Sequence, residues 1–129
     1  GKTFVAEVLV ARALFLHRKR VVVVLPYISL VTDKAEYFRG LFERESVRVV
    51  AHCSGAENPP FEMRGEACPE LSICTIEKAH SILCTLLREG RLAELGCLVV
   101  DEVHMVGDAS RGFLIEIMLA KVMRCRGLA

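Results

Sequence analysis

Asp101 and Glu102 are adjacent carboxylates that close the apolar run Cys97-Leu98-Val99-Val100, and His104 follows two positions later. A short apolar run ending in acids reads as a buried parallel strand whose C-terminal end opens onto a crevice. Ligands of open α/β sheets bind in that crevice. Neighbouring strand residues point different ways, so the two acids can do different work. Asp101 can hold a magnesium ion, and Glu102 can orient or deprotonate a water. Such a pair needs a triphosphate to act on, and Gly1-Lys2-Thr3 supplies the start of a phosphate cradle.

Each feature has a plainer reading when taken alone. Acids at a strand end are often solvated turn residues, Gly-Lys-Thr recurs by chance, and three metal ligands on one strand (Asp101, Glu102 and His104) rarely converge. The combination is what carries weight. Gly-Lys-Thr opens an apolar helix, and the Asp-Glu pair ends a buried strand one small domain later, which is the order of a P-loop and its magnesium-binding acid.

The elements that must position these residues are legible along the chain. Thr3 to Leu16 is almost wholly apolar, interrupted by Glu7 and Arg12, and reads as a helix sandwiched between the sheet and its neighbours. Backbone N–H groups at its start suit phosphate, with Lys2 reaching the β- and γ-phosphates and the Thr3 hydroxyl on magnesium. His17-Arg18-Lys19-Arg20 falls between a helix and a strand, opposite the crevice, and reads as a solvated helix C-terminus rather than a nucleic-acid patch. Val21 to Leu25 is a second buried strand, stopped by Pro26.

Beyond Pro26, Asp33 and Glu36 form a capping box for a helix running to about Glu43. Val47 to Ala51 is the next strand and delivers His52, Cys53, Ser54 and Gly55 to the edge that carries Pro26. Glu57 to Pro69 holds three prolines without periodicity and reads as a surface loop. Leu71 to Cys74 is a strand, and Thr75 caps a helix from Ile76 to Arg88. Within that helix, Glu77 and His80 have a spacing found in carboxylate-bridged metal sites; with no second such pair, a surface salt-bridge face fits better. A last helix runs from Ser110 to about Arg124. Strands alternating with helices through short loops imply right-handed crossovers and a doubly wound, mostly parallel sheet.

Composition narrows the classes. The chain has 129 residues, 53% of them hydrophobic, with a net charge of +1. That length suits one domain, and the near-neutral charge leaves room only for local nucleic-acid contacts. The six cysteines contain no Cys-x-x-Cys pair and read as reduced core residues of an intracellular protein. No segment approaches the ~18 apolar residues of a membrane span, so no membrane partner is expected.

Gly1-Lys2-Thr3 resembles helicase motif I, Leu25-Pro26-Tyr27 motif Ia, Ser54-Gly55 the small-residue motif after it, and Thr75-Ile76-Glu77-Lys78 motif Ib. Asp101-Glu102-Val103-His104 resembles motif II, the DExH box. Over essentially its whole length the chain is similar to the first RecA-like domain of a superfamily 2 helicase, a P-loop NTPase fold. His104-Met105-Val106-Gly107-Asp108 and Ser110-Arg111-Gly112 are similar to the Ski2-like branch. There they match both helicase Q and the helicase domain of DNA polymerase theta.

The resemblance implies an ATP- and magnesium-dependent 3′-to-5′ DNA translocase, nuclear and active in repair. It places Gly1, Lys2 and Thr3 on ATP, Thr3 and Asp101 on magnesium, Glu102 on the attacking water, and His104 in a link to a second RecA-like domain. Pro26, Tyr27, Ser54, Gly55, Thr75 and Lys78 would line single-stranded or forked DNA through its phosphates. A Ski2-like RNA helicase and an inactive truncated remnant remain alternatives.

Motif III, the second RecA-like domain with its arginine fingers, the later helical domains and the strand before Gly1 have no counterpart in the 129 residues. The expectation is therefore a domain cut at the P-loop and before motif III. It would lack central strands beside Val21–Leu25 and Cys97–Asp101, and alone it would neither fold cooperatively nor hydrolyse ATP.

Overall fold

The computed structural model describes residues 2–42, 44–45, 47–52, 70–102, 104, 107 and 109–125. In chain order these form α1 (Lys2–Ala11) continued by a π-helical turn (Arg12–Leu16), β1 (Arg20–Leu25), α2 (Ile28–Leu41) and β2 (Arg48–His52). Then come β3 (Glu70–Thr75), α3 (Ile76–Arg88), a 3₁₀ turn (Leu92–Glu94), β4 (Leu95–Val100) and α4 (Ala109–Cys125). The strands lie in the order β2-β3-β1-β4, and every pairing is parallel.

The valine run explains the layering. Side chains of β1 alternate between the two faces. Val21, Val23 and Leu25 pack with Val10 and Leu14 behind α1 and with Val31, Ala35 and Phe38 of α2. Val22 and Val24 pack on the opposite face with Ile82, Leu83 and Leu86 of α3 and with Ile115 and Met118 of α4. Each fully buried Val or Leu contributes on the order of 1.5–3 kcal/mol. Helices cover both faces of a parallel sheet, which is the RecA-like α/β arrangement expected.

Several local expectations are corrected. β1 does not lack partners, since β3 and β4 flank it; β4 is the end strand of the order. Among the described residues the helix from Thr3 to Leu16 is covered on one side, not sandwiched. It buries Val10, Ala13 and Leu14 but exposes Val5, Val8, Leu9, Phe15 and Leu16 on its outer side. Its last turn widens to π geometry, with His17 N–H donating to the Arg12 carbonyl at 3.2 Å.

Asp33 caps nothing. α2 begins at Ile28, with extended Tyr27 at its N-cap, and Val31 N–H donates to the Tyr27 carbonyl at 3.1 Å. Pro26 ends the strand, and Val31, Ala35 and Phe38 at helical spacing pull the first turn onto the core. Asp33 and Glu36 sit on the exposed side. Thr75 does hold the N-cap position of α3, but its hydroxyl makes no capping hydrogen bond.

At the N-terminal ends of the strands, His17, Arg18 and Lys19 are exposed as expected, whereas Arg20 belongs to β1 and is largely buried. Arg20 lies 3.8 Å from Glu70 and 3.7 Å from Glu94, and Arg91 pairs with Glu94 at 2.8 Å and with Glu89 at 2.7 Å. This network closes the sheet end opposite the crevice. Cys74, Cys84 and Cys97 are in no disulfide, and the expected loop from Glu57 to Pro69 lies outside the described residues. Among the described residues no helix is long and apolar enough to cross a membrane.

Candidate nucleotide and nucleic-acid site

Parallel pairing brings the C-terminal ends of β1, β3 and β4 to one edge. Leu25 stands opposite Thr75, and Val24 opposite Val100. Pro26, Thr75 and Asp101 therefore leave the sheet side by side. Their sequence separations are large, and only the strand register unites them.

Asp101 extends the ladder by one bond beyond β4, its N–H donating to the Val24 carbonyl at 3.0 Å. Its carboxylate Oδ1 accepts the Glu102 N–H at 2.9 Å. Glu102 is left-handed, at φ +57°, a conformation that costs a non-glycine residue about 1–2 kcal/mol. The chain turns sharply there, so Glu102 leaves the strand line and its carboxylate comes within 3.3 Å of His104 Nε2. His104 is exposed and Asp101 half-buried.

Two cavities meet at Asp101. One, of about 210 Å³, is bordered by Glu7 and Val10 of α1, Lys34 and Phe38 of α2, and Val99 to Asp101. The other, of about 300 Å³, is bordered by Leu25, Lys34, Tyr37, Asp101 and Glu102. Lys34 lines both, and Tyr37 donates a 2.6 Å hydrogen bond to Glu7 that ties α2 to α1. That hydrogen bond, which the phenolate could not donate, raises the Tyr37 phenol above its ordinary pKa, and the negative charge of Glu7 adds to the effect. Sequence reasoning missed Lys34 and Tyr37. Nothing in the pattern of an exposed amphipathic face singles them out.

A third cavity, of about 420 Å³, lies along the same edge and is lined by Pro26, Tyr27, Thr75, Glu77, Lys78 and Arg111, with Ile28 beside them. Tyr27 is exposed, Lys78 half-buried, and Thr75 buried at the cavity wall. Glu77 pairs not with His80 but with Arg111, at 2.9 Å, while the His80 ring contacts the Cys84 sulfur. Arg111 was legible only as part of Ser110-Arg111-Gly112; its contacts to Glu77 and Pro26 cross 34 and 85 positions of chain.

The expected site residues thus form two groups on one edge: Asp101, Glu102 and His104, and Pro26, Tyr27, Thr75 and Lys78. Lys2 and Thr3 open α1; their side chains, together with Gly1, Ser54 and Gly55, lie outside the described residues. Among the described residues no cluster of three or more His, Cys, Asp or Glu side chains could hold a metal by itself. One half-buried carboxylate with an oxygen to spare suits magnesium, a hard cation that keeps waters and phosphate oxygens as its other ligands.

The sequence model for the DEAD/DEAH box helicases matches residues 1–127. The chain belongs to that family. This helicase domain is 38% identical to DNA polymerase theta of Drosophila melanogaster over 123 residues, which is 95% of the chain and 6% of that protein. It is 40% identical over 125 residues to the human protein named helicase POLQ-like, 95% of the chain and 11% of the relative. Similarity extends to the ATP-dependent DNA helicase Hel308 of Pyrococcus abyssi, 30% identical over 125 residues and 16% of its length. These relatives set the helicase domain in the Ski2-like branch and are matched over a small part of their own length.

Proposed function

We propose that the chain is part of the first RecA-like domain of a nuclear DNA-repair helicase. In this reading the domain binds ATP with magnesium, hydrolyses it, and couples turnover to 3′-to-5′ movement on single-stranded DNA. The observation that supports this most is the shared edge. Motif II side chains and a nucleic-acid face emerge from adjacent parallel strands, so a change at one has a short, rigid route to the other. Family membership and the DNA-directed names of the relatives support it further.

The residues divide the work by position. Lys2 and the first amides of α1 neutralise phosphate charge, as helix N-termini do. Thr3 and Asp101 supply hard oxygen ligands. When bound, magnesium–ATP supplies the scissile anhydride and the metal's charge. Glu102 holds a water for attack, and its turn out of the strand line sets the carboxylate apart from that of Asp101. His104, exposed and 3.3 Å from Glu102, faces outward to report the state of that carboxylate to a second RecA-like domain. On the neighbouring face, Pro26, Tyr27, Ser54, Gly55, Thr75 and Lys78 bind DNA through phosphates and one aromatic surface, holding register without reading sequence.

The test uses the full-length protein. Glu102→Gln should retain ATP binding and lose at least ~10²-fold in kcat, the range of a general base, whereas Lys2→Ala should lose both. Single-stranded DNA should stimulate the wild-type ATPase more than RNA of the same length. A Glu102→Gln enzyme turning over at the wild-type rate would remove Glu102 from the mechanism, and stronger stimulation by RNA would reassign the substrate.

A further inference from the structure

Arg111 sits in the first turn of α4, and its guanidinium engages two other elements at once. Nε donates to Glu77 Oε1 of α3 at 2.9 Å, and Nη2 donates to the Pro26 carbonyl at the end of β1. The guanidinium carbon stands 5.5 Å from the centroid of the Tyr27 ring, within cation–π range. The side chain is 21% exposed.

We propose that Arg111 is a positioning residue of the DNA face: it fixes the Pro26–Tyr27 corner against α3 and offsets the Glu77 charge beside Lys78. The proposal rests on the nucleic-acid reading of that cavity and deepens it. Tyr27 is an exposed N-cap residue, and an aromatic ring at such a place has several rotamers. Arg111 holds the ring from one side and the preceding peptide from the other, so the surface that meets a base or sugar is ordered before the strand arrives. Preorganisation of this kind strengthens binding without adding a contact to the ligand.

Charge gives the second half. Glu77 stabilises α3, because a carboxylate suits a helix N-terminus, but it also lies next to Lys78 on a wall meant for phosphates. Its ion pair with Arg111, at 2.9 Å, offsets part of that repulsion. Two of the guanidinium's nitrogens are engaged by protein acceptors, so Arg111 serves the strand through Tyr27 and Glu77 rather than as a phosphate ligand. A planar fork suits this, since two separate nitrogens reach acceptors on different elements, whereas a lysine offers a single nitrogen on a flexible stem.

The experiment compares Arg111→Gln, Arg111→Lys, Lys78→Ala, Tyr27→Ala and the Tyr27→Ala/Arg111→Gln double variant in the full-length protein. Arg111→Gln should raise the single-stranded DNA concentration for half-maximal ATPase stimulation about tenfold, the loss of one charge-assisted bond and one cation–π contact. At saturating DNA its kcat should stay within about twofold of wild type. Arg111→Lys should fall between the two. The double variant should lose less than the sum of the two single losses, because Arg111 acts partly through Tyr27 and residues acting through one another are not additive. Lys78→Ala should lower the salt slope of binding by about one unit, and Arg111→Gln by much less.

Four results would overturn the assignment. The first is a wild-type half-saturation point for Arg111→Gln. The second is a fall in kcat alone, and the third a slope loss equal to that of Lys78→Ala, which would make Arg111 a phosphate ligand. The fourth is full additivity with Tyr27→Ala. Unchanged affinity in both Lys78→Ala and Tyr27→Ala would instead strike the DNA reading of the cavity, and the Arg111 assignment with it.

Discussion

Gly96→Ala is the substitution whose cost the structure states most directly. Gly96 is the extra residue of a bulge, since Arg20 pairs with Leu95 and Val21 already with Cys97. A methyl group there would stand 2.7 Å from Cβ of Lys19 and 3.3 Å from Cβ of Ala13. Carbon atoms rest at about 3.5–4.0 Å, so the Lys19 backbone and β4 must separate by roughly 0.8 Å or more. Lys19 Cβ is fixed to the main chain and cannot swing away. Its N–H also donates to the Ala13 carbonyl at 3.0 Å, which ties the two obstructing residues together.

Overpacking of this kind costs about 1–3 kcal/mol, and the entropy gained by replacing glycine returns only about 0.5–1. A net loss of about 1–2 kcal/mol should lower Tm on the order of 5 °C for a domain of this size. Thermal and urea melts of wild type and variant, followed by circular dichroism, give both numbers. A variant melting at or above wild type would show that the bulge does not need glycine. It would also show that the packing of the π-helical turn against β4 has been misjudged.

Glu102→Val should be less stable than Glu102→Asn by about 1–2 kcal/mol, because a β-branched side chain is poorly tolerated at positive φ and asparagine well tolerated; equal urea midpoints would mean that the turn relaxes freely. Acid stability should depend on Glu94, whose carboxyl is lowered from its ordinary value of 4.5, first by the hydrogen bond from Arg91 and then by the charges of Arg91 and Arg20. A depressed carboxyl pKa adds stability that is present above the unfolded value and lost as pH falls through the folded one. The Arg91→Ala protein should therefore lose less stability than wild type on acidification below about pH 4.5, and parallel acid limbs would argue against the pair.

Much of the fold was legible because it rests on local signals. The alternating faces of Val21 to Leu25, the helical period from Ile76 to Arg88 and the break at Pro26 require no knowledge of distant residues. Element type followed in each of these cases. The start of α2 did not, because an apolar first turn with Tyr27 at its cap carries none of the polar residues that mark helix beginnings, and Asp33 offered a false one. Burial of Val31 and Ala35 decided the matter. The full helix-sandwich expectation for Thr3 to Leu16 failed for the converse reason: apolar composition says that a face can be buried, not that anything covers it.

For the site, sequence determined the chemistry and the tertiary structure the company it keeps. Asp101 and Glu102 stood out only in combination with Gly1-Lys2-Thr3, since acids closing a strand are by themselves often solvated turn residues. Arg111 could not do so. Its role depends on Pro26 and Glu77, which meet it only because β1 and β3 pair in parallel register and α4 packs across α3. Nor does any local pattern require left-handed Glu102, a glycine at the bulge, or Arg20 among Glu70 and Glu94. Local propensity is a matter of a few neighbouring residues, whereas these features arise where chain segments far apart in sequence compete for the same space and charge.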